Sequence, residues 1–300
     1  MKVVLAGGSG ALGRRIAADL TERGDEVVIL TRSPRPGSPW RQVAWDGVTV
    51  GEWAGELAGA AVVNLAGELV DRPPTRAGIE LLTRSRVQPT RALAEAAATL
   101  GAPPEVWVQM STLAIYGDGG EDVIDETHPV ADGPPQMAGV ARPWEAAADG
   151  VRAGRTVVLR TAVVFDPGTP ALGRLTGLVR WGLGGRIASG RQWVSWLHIT
   201  DLLAIVRRAL DDPGLAGVVH ATSPNPVRNS ELMATLRDLL HRPVAPPTPA
   251  LLARAGAWVL RTDPELALTG RRCVPARLRE AGHTFAYPEL RPALAACLTS

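Results

Sequence analysis

The sequence lacks most features that mark membrane, secreted or metal-binding proteins. No apolar run approaches the roughly 20 residues that a membrane-spanning helix needs, and we expect no signal peptide before the first strand. Its two cysteines, Cys273 and Cys297, form no metal or redox motif and are typical of a reducing compartment. The five histidines lack the HxxxH and HExxH spacings of metal sites. These absences predict a cytoplasmic protein with no structural metal.

An excess of charge is also absent. The 300 residues include 32 Lys and Arg against 30 Asp and Glu, a net charge of +2, which favours neither nucleic acid nor an anionic membrane as partner. Lysine is almost missing, with Lys2 as its single occurrence, and a GC-rich genome explains the arginine content more simply than phosphate binding does. We expect a small-molecule substrate, no nucleic-acid or membrane partner, and a homodimer as the candidate assembly.

Short apolar runs alternate with helical stretches over the first two-thirds of the chain. The strand-like runs cover residues 2–6, 26–30, 61–65, 105–110 and 156–160. Helical stretches lie between them, near 11–23, 78–100 and 136–153. This alternation predicts an α/β fold with a doubly wound parallel sheet that helices cover on both faces.

A glycine triplet follows the first strand and opens the first helix. Gly7 permits a tight turn, Gly10 lets the backbone approach a pyrophosphate, and Gly13 lets the helix pack closely on the strand. The helix N-terminus offers free N–H groups and a positive dipole end to phosphates. Strand, triplet and helix in this order predict a dinucleotide-binding site.

The second strand predicts which dinucleotide binds. It ends in Thr31 and Arg32, where an NAD site usually has Asp or Glu for the ribose 2′-hydroxyl. An arginine there can pair with a 2′-phosphate. The alternative is a surface arginine in an arginine-rich chain. We predict NADP(H) as the cofactor, with NAD less favoured.

The domain organisation follows from a change in composition near residue 166. A glycine- and arginine-rich segment begins there, and 241–250 is a proline-rich connector. Between them, a helix at 202–210 and a strand at 218–220 return to the sheet. We assign 1–165, with 198–222, to an NAD(P)-binding Rossmann domain, and 166–197 with 223–300 to a smaller, mainly helical substrate domain. Residues 182–192 should form a mobile edge of the substrate pocket.

The segment after the strand at 105–110 has the candidate catalytic residues. Ser111, Thr112 and Tyr116 supply hydroxyls at the carboxyl edge of the sheet, where such folds bind ligands. Each has a structural alternative: the first two could satisfy backbone at a strand end, and the tyrosine could pack in a turn. His198 precedes a helix capped at Thr200 or Asp201, so we expect a structural role for it. Trp181, Trp193 and Trp196 could wall an apolar pocket or pack in the core.

Several motifs together resemble a known group of proteins. They are AGGSGALG, VVNLAGE, STLAIYGD, RPWE, LRTAVVF, GLGGRIASGRQWVSWLHITDL, SPNPVRN and VPARLREAGHTFAYPEL. The chain resembles the extended short-chain dehydrogenase/reductase superfamily and, more narrowly, the NAD-dependent epimerase/dehydratase family with a short C-terminal domain of unknown function. The resemblance runs from residue 2 to about 295. It implies a seven-stranded Rossmann sheet and a substrate domain built from later segments.

The resemblance also implies residues for the cofactor site. The pyrophosphate would be held by Gly7, Ser9, Gly10, Ala11, Leu12 and Gly13. The adenosine side would be lined by Leu65, Ala66 and Gly67, while Met110 and Ser111 would lie beneath the nicotinamide. Ala162 and Val163 would meet its carboxamide.

Two departures from the family pattern bear on the chemistry. Gln136 and Val140 stand where the superfamily has the Tyr-x-x-x-Lys pair, and Val194 stands where nucleotide-sugar epimerases have arginine. The usual mechanism needs a tyrosinate favoured by a neighbouring ammonium. Two hypotheses remain: an atypical NADP(H)-dependent oxidoreductase or epimerase-like enzyme for a small, partly apolar metabolite, or a non-catalytic NADP(H)-binding sensor or partner-binding protein. In the first, Tyr116, a substrate group or water would transfer the proton.

Overall fold

A seven-stranded parallel sheet forms the centre of the molecule. The computed structural model describes residues 1–299. In spatial order from one edge, the strands are β11 (Gly217–Ala221), β7 (Thr156–Thr161), β5 (Val106–Thr112), β4 (Ala61–Asn64), β1 (Lys2–Ala6), β2 (Glu26–Thr31) and β3 (Arg41–Ala44). All neighbouring strands pair in parallel, so their carboxyl ends share one edge. The predicted α/β fold with a doubly wound parallel sheet is confirmed.

Helices cover the sheet and build most of the C-terminal region. Those that contribute to the two layers around the sheet are α1 (Ala11–Glu22), α2 (Arg76–Thr99), α3 (Ala138–Ala146) and α5 (Ile199–Asp211). The others are α4 (Pro170–Arg180), α6 (Asn229–Leu239), α7 (Ala250–Val259), α8 (Glu265–Leu268), α9 (Ala276–Glu280) and α10 (Leu290–Thr299). The helical character predicted for the tail is confirmed. Among residues 1–299, no helix is long and apolar enough to cross a membrane.

The apolar side chains of β5 pack into two hydrophobic cores, one on each face of the sheet. Val106, Val108 and Met110 join the core that packs against α1 and α5. Trp107 points to the opposite face and packs with Leu93 of α2. Successive side chains of a strand alternate between faces, so a strand buried on both sides is apolar almost throughout.

Short ladders connect the later segments to the sheet's carboxyl edge. Their strands are β6 (Val123–Ile124), β8 (Val163–Phe165), β9 (Trp193–Val194), β10 (Trp196–His198), β12 (Val227–Arg228) and β13 (Arg272–Cys273). β10 pairs with β8 in parallel, β12 with β9 antiparallel, and β13 with β6 in parallel. The last pair ties the C-terminal region to the loop that follows β5.

Two elements differ from the sequence prediction. Strand β3 was not predicted, because the run RQVA at residues 41–44 is a half-exposed edge strand with mixed polarity. The helix predicted for 136–153 is shorter: α3 covers Ala138–Ala146. Two prolines precede α3, and turns lead from its end to Gly150, which has a φ of +69°. Proline and glycine end helices because one lacks an N–H and the other favours left-handed backbone.

Candidate functional site

The glycine loop leaves one side of its backbone open. Gly7 has a φ of +81°, and an added Cβ would lie 2.8 Å from the backbone of Leu65. At Gly13 an added Cβ would lie 2.5 Å from the Cα of Gly8. Gly10 differs, since within 4 Å its Cβ would meet only the carbonyl of Gly7, at 3.4 Å. Two glycines are therefore needed for packing, and Gly10 borders open space.

The first turn of α1 completes this cradle, by which we mean residues 7–13. Gly10 is the N-cap of α1, no side chain caps the helix, and its first turn has no acidic residue. The N–H groups of Ala11 and Leu12 have no acceptor within the helix. Ser9 and Gly10 are exposed. Free N–H groups, a helix dipole and a glycine without a Cβ fit a pyrophosphate group.

Arg32 lies at the carboxyl end of β2 with its side chain 74% exposed. Its Nη2 is 3.5 Å from Oε1 of Glu68, in the loop after β4. Glu68 also pairs with Arg72, at 3.0 Å. Thr31 is buried, and its Oγ1 accepts a hydrogen bond from the Ser33 amide at 3.3 Å. The arginine is thus accessible to a phosphate, but a carboxylate already lies beside it.

Residues 65–67 lie directly against the cradle. The Leu65 amide donates to the Ala6 carbonyl at 2.8 Å, which continues the β4–β1 pairing. Ala66 is buried. Gly67 packs on Arg86, to which an added Cβ would come within 3.0 Å. These contacts place the loop after β4 next to the glycine loop.

The residues predicted beneath and beside the nicotinamide differ in exposure. Met110 is buried within the core. Ala162 is half-buried, and Val163 is 42% exposed. The Ala162 amide donates to the carbonyl of Ala221 at 3.0 Å, which fixes the turn after β7. Their contacts with a cofactor stay predictions.

Ser111 and Thr112 point to opposite faces of β5, because side chains alternate along a strand. Ser111 is buried, and its Oγ donates to Oε1 of Glu145 at 2.5 Å. Thr112 is partly exposed, and its Oγ1 accepts from the Ala114 amide at 3.1 Å. The Thr112 hydroxyl therefore keeps its proton available for donation, whereas the Ser111 proton is directed to Glu145.

Arg160 holds Glu145 in place. It lies on β7 opposite Ser111 in the register of the sheet. Its Nε and Nη2 donate to the two oxygens of Glu145 at 2.9 and 2.8 Å, and both side chains are largely buried. Burial alone would lower the pKa of Arg160, but the hydrogen bonds and charge of Glu145 raise it above its ordinary value. The pair is a fixed bidentate ion pair behind Ser111.

Tyr116 belongs to the same buried network. Its Oη accepts from Nη1 of Arg160 at 2.6 Å and lies 2.7 Å from Nε2 of His220. His220 Nδ1 is 2.9 Å from the Val274 carbonyl, which can only accept. The proton of His220 is therefore on Nδ1, and Nε2 accepts from Tyr116.

Burial sets the protonation states in this network. It raises the pKa of Tyr116 to about 12 and lowers that of His220 to about 4. Both groups are therefore neutral near pH 7. Proton donation by Tyr116 stays a prediction; its 4% exposure and its bond to His220 argue against it.

Gln136, at the position of the family tyrosine, holds a loop. Its Nε2 donates to the carbonyls of Val70 and Arg72 at 3.1 and 2.7 Å. Its Oε1 is buried without a partner among residues 1–299. Val140, at the lysine position, is buried and apolar. Gln136 thus stabilises the loop after β4, and neither position supplies a titratable group.

Two other sequence predictions have structural outcomes. His198 is itself the N-cap of α5, because its Nδ1 accepts from the Thr200 amide at 3.2 Å, so the prediction of a cap at Thr200 or Asp201 was wrong. The three tryptophans do not form one wall. Trp196 is buried and stacked, Trp181 is 85% exposed, and Trp193 lies between two arginines.

The segment 182–192 is anchored at its middle and at its C-terminal end. Ile187 bridges to Thr248, and Gln192 Nε2 donates to the carbonyls of Ile187 and Ala267 at 3.1 and 2.9 Å. Its place beside a substrate pocket stays a prediction. Among residues 1–299, no three His, Cys, Asp or Glu side chains gather to hold a metal ion.

Sequence reasoning missed Glu145, Arg160 and His220. The structure joins Ser111 to Tyr116 through Glu145 and Arg160, and Tyr116 in turn to His220, while Thr112 lies outside the network. One signal was present in the sequence. An arginine within the buried strand TVVLRT needs a buried partner, because an unpaired charge is costly in the core.

Comparison with known proteins identifies the family of this chain. The chain matches the NAD dependent epimerase/dehydratase family over residues 3–219 and a domain of unknown function, DUF1731, over residues 248–297. It is 33% identical over 302 residues to the epimerase family protein SDR39U1 of Bos taurus, covering 98% of each chain. The resemblance drawn from the motifs is confirmed.

Solved structures are similar over the whole chain. The human epimerase family protein SDR39U1 (isoform 2), crystallised with NADPH, has a TM-score of 0.89 at 31% identity and covers 100% of both chains. A nucleoside-diphosphate sugar epimerase from Corynebacterium glutamicum has a TM-score of 0.79 at 30% identity, covering 99% of this chain and 58% of that one.

Proposed function

We propose that this chain, which belongs to the NAD-dependent epimerase/dehydratase family, is an NADP(H)-dependent oxidoreductase or epimerase-like enzyme for a small, partly apolar metabolite. The proposal rests on one observation: the cradle and the available hydroxyl of Thr112 lie at the same edge of the sheet. Only β4 separates β1 from β5, and ligands of such folds bind at the carboxyl ends of the strands. A substrate carbonyl that meets Thr112 would share that edge with the cofactor.

Arg32 supports NADP(H) rather than NAD. A guanidinium group offers planar donor edges that match a phosphate, and this one is exposed. The similar SDR39U1 structure was crystallised with NADPH. When bound, NADPH supplies the hydride. The residues of the cradle and Arg32 would hold it, and the side chains after β5 would place the substrate.

Thr112 would orient and polarise the substrate oxygen. Its Oγ1 already accepts from the Ala114 amide, so its proton can be donated to an oxygen in the cleft. Ser111 would act on the site indirectly, because its hydroxyl donates to Glu145. Water or a substrate group would supply the proton, because burial raises the pKa of Tyr116 to about 12 and no lysine lies at position 140.

Gln136 favours a second candidate, an NADP(H)-binding protein without turnover. In place of a proton-transfer group, this position holds the loop at Val70 and Arg72. A retired enzyme fold could sense the redox state of the cofactor or bind a partner protein.

Turnover with a panel of small carbonyl compounds separates the two candidates. The enzyme should consume NADPH, measured as loss of its absorbance. Thr112→Val should reduce the rate at least tenfold, because one preorganised donor contributes about 10²–10³-fold, with NADPH affinity unchanged. Thr99→Val, at the end of α2, is the matched control. Tight NADPH binding without consumption across the panel would favour the second candidate, and full activity of Thr112→Val would exclude its role.

A further inference from the structure

Three arginines are buried deeply enough for desolvation to lower their pKa, yet have no carboxylate within ion-pair distance among residues 1–299. They are Arg86, Arg155 and Arg271. Arg155 donates to three backbone carbonyls around the end of α5, and Arg86 donates to two carbonyls beside α2. Those two are satisfied by backbone. Arg271 is not, and an unpaired buried cation calls for a partner.

The guanidinium of Arg271 is fixed on one side and open on the other. Its Nε donates to the Gly117 carbonyl at 2.9 Å, and its Nη2 contacts Thr269 Oγ1 at 3.3 Å and Met137 Sδ at 3.7 Å. Sulfur is a weak acceptor. Nη1 has no hydrogen-bond partner within residues 1–299. Protein atoms do not enclose it completely, so it remains accessible to solvent. One donor group is held in place without an acceptor.

The backbone of Arg271 is also fixed. Its amide donates to the Trp193 carbonyl at 3.1 Å, and its carbonyl accepts from Ser195 Oγ at 2.9 Å. The side chain then reaches Gly117, which follows the 3₁₀ turn after Thr112, and Met137, next to Gln136. Arg271 thus joins the C-terminal region to the loop after β5, whose side chains would place the substrate, and to the segment before α3.

We propose that Arg271 binds a carboxylate group of the substrate, so that the substrate is a small monocarboxylic acid. The proposal rests on the function proposed above for this site. A single open donor group can donate to one oxygen of a carboxylate, whereas a diphosphate needs several donors. Val194, where nucleotide-sugar epimerases have arginine, agrees with this choice.

The surrounding charges support an anion. Arg228 and Arg272 both lie over the Trp193 ring, with their guanidinium carbons 3.8 and 4.6 Å from its centroid. Glu121 pairs with Arg228 and leaves Arg271 and Arg272 uncompensated within salt-bridge distance in the described chain. Among residues 1–299, arginines thus outnumber the carboxylates within ion-pair distance in this region, and the charge of Asp118 acts on Arg271 from a longer distance.

Binding of benzoate tests the proposal, with neutral benzamide as its isostere and inorganic phosphate as a second anion. Calorimetric titration should show benzoate binding to the wild-type protein, loaded with NADPH, more tightly than benzamide. Arg271→Gln should weaken benzoate about 10- to 100-fold, the range expected for a charge-assisted hydrogen bond. Arg180→Gln, an exposed arginine at the end of α4, should leave it unchanged. Benzamide should bind all three proteins equally.

Arg271→Lys keeps the charge and guards against a folding defect in Arg271→Gln; it should retain benzoate binding above that of the glutamine variant. A crystal soak of the wild type should place the benzoate carboxylate within hydrogen-bond distance of Nη1. No benzoate binding by the wild type, equal binding by Arg271→Gln, or tighter binding of phosphate than of benzoate would overturn the proposal. These titrations need no turnover, so intact benzoate binding without NADPH consumption would count against the proposed enzyme activity alone.

Discussion

Replacement of Arg32 tests the cofactor preference, because the carboxylate of Glu68 competes with a cofactor phosphate for the Arg32 guanidinium. Arg32 lies 3.5 Å from Glu68 and is 74% exposed. An exposed ion pair of this kind is worth about 0–1 kcal/mol. A charge-assisted contact to a 2′-phosphate is worth about 1.5–3 kcal/mol. The phosphate should therefore displace Glu68 with a net gain of about 0.5–3 kcal/mol, or roughly 2- to 150-fold in affinity.

Arg32→Ala should weaken NADPH by about that factor and leave NADH nearly unchanged. Glu68→Gln should act in the opposite direction, tightening NADPH up to about fivefold, because it removes both a competitor and a like charge beside the phosphate. Isothermal titration at one low ionic strength is the assay, since salt screens exposed charges. Arg91→Ala, an exposed arginine of α2, controls for the loss of one positive charge.

Three results would refute this reasoning. Arg32→Ala could weaken both cofactors equally, which would give Arg32 a structural role. The wild-type protein could bind NADH more tightly than NADPH. Glu68→Gln could weaken NADPH, which would make the carboxylate a contributor to the site.

Other perturbations test the cradle and the buried network. Gly10→Ala should keep the thermal stability and weaken NADPH, while Gly13→Ala should lower the melting temperature because its Cβ would lie 2.5 Å from the loop backbone; equal stability of the two variants would contradict this. Folding lowers the pKa of His220 from 6.5 to about 4, so its contribution to stability is fully present above pH 6.5. About 3 kcal/mol of the free energy of unfolding should be lost as the pH falls from 6.5 through 4. Denaturant titrations of His220→Gln should lack this loss, and an unchanged pH profile would count against the assignment. Glu145→Gln should cost about 3–5 kcal/mol by leaving Arg160 buried and unpaired, and Glu145→Gln combined with Arg160→Gln should recover part of it; a double variant as unstable as the sum of its parts would show no coupling.

The sheet and the cradle could be predicted because their signals are local. Apolar runs of strand length and glycines at fixed offsets lie within about 20 residues of each other, and each has a direct physical meaning. Strand β3 was missed because its burial depends on β2 beside it, not on its own pattern. Alternation along β5 also separates Ser111 from Thr112, a result that the period of a strand allows from sequence alone.

The buried network could not be predicted in the same way. Ser111 and Glu145 are 34 positions apart, and Tyr116 and His220 are 104 apart. Which side chains meet depends on the register of β5, β7 and β11, which no local pattern fixes. The single lysine ruled out the usual Tyr-Lys pair, but the sequence did not show that Gln136 binds a loop instead.

The ladder between β13 and β6 has a consequence for synthesis of the chain on the ribosome. The Val274 carbonyl accepts a hydrogen bond from Nδ1 of His220. The amide of Cys273 donates to Ser195 Oγ, and the amide of Gly270 donates to Asp118. Each partner is made 54 to 152 residues earlier. A nascent chain that has completed the sheet therefore lacks the partner of His220 Nδ1 until its last tenth is made, and premature termination before residue 270 would leave that N–H without its acceptor. These contacts can form only after the C-terminal residues have been synthesised.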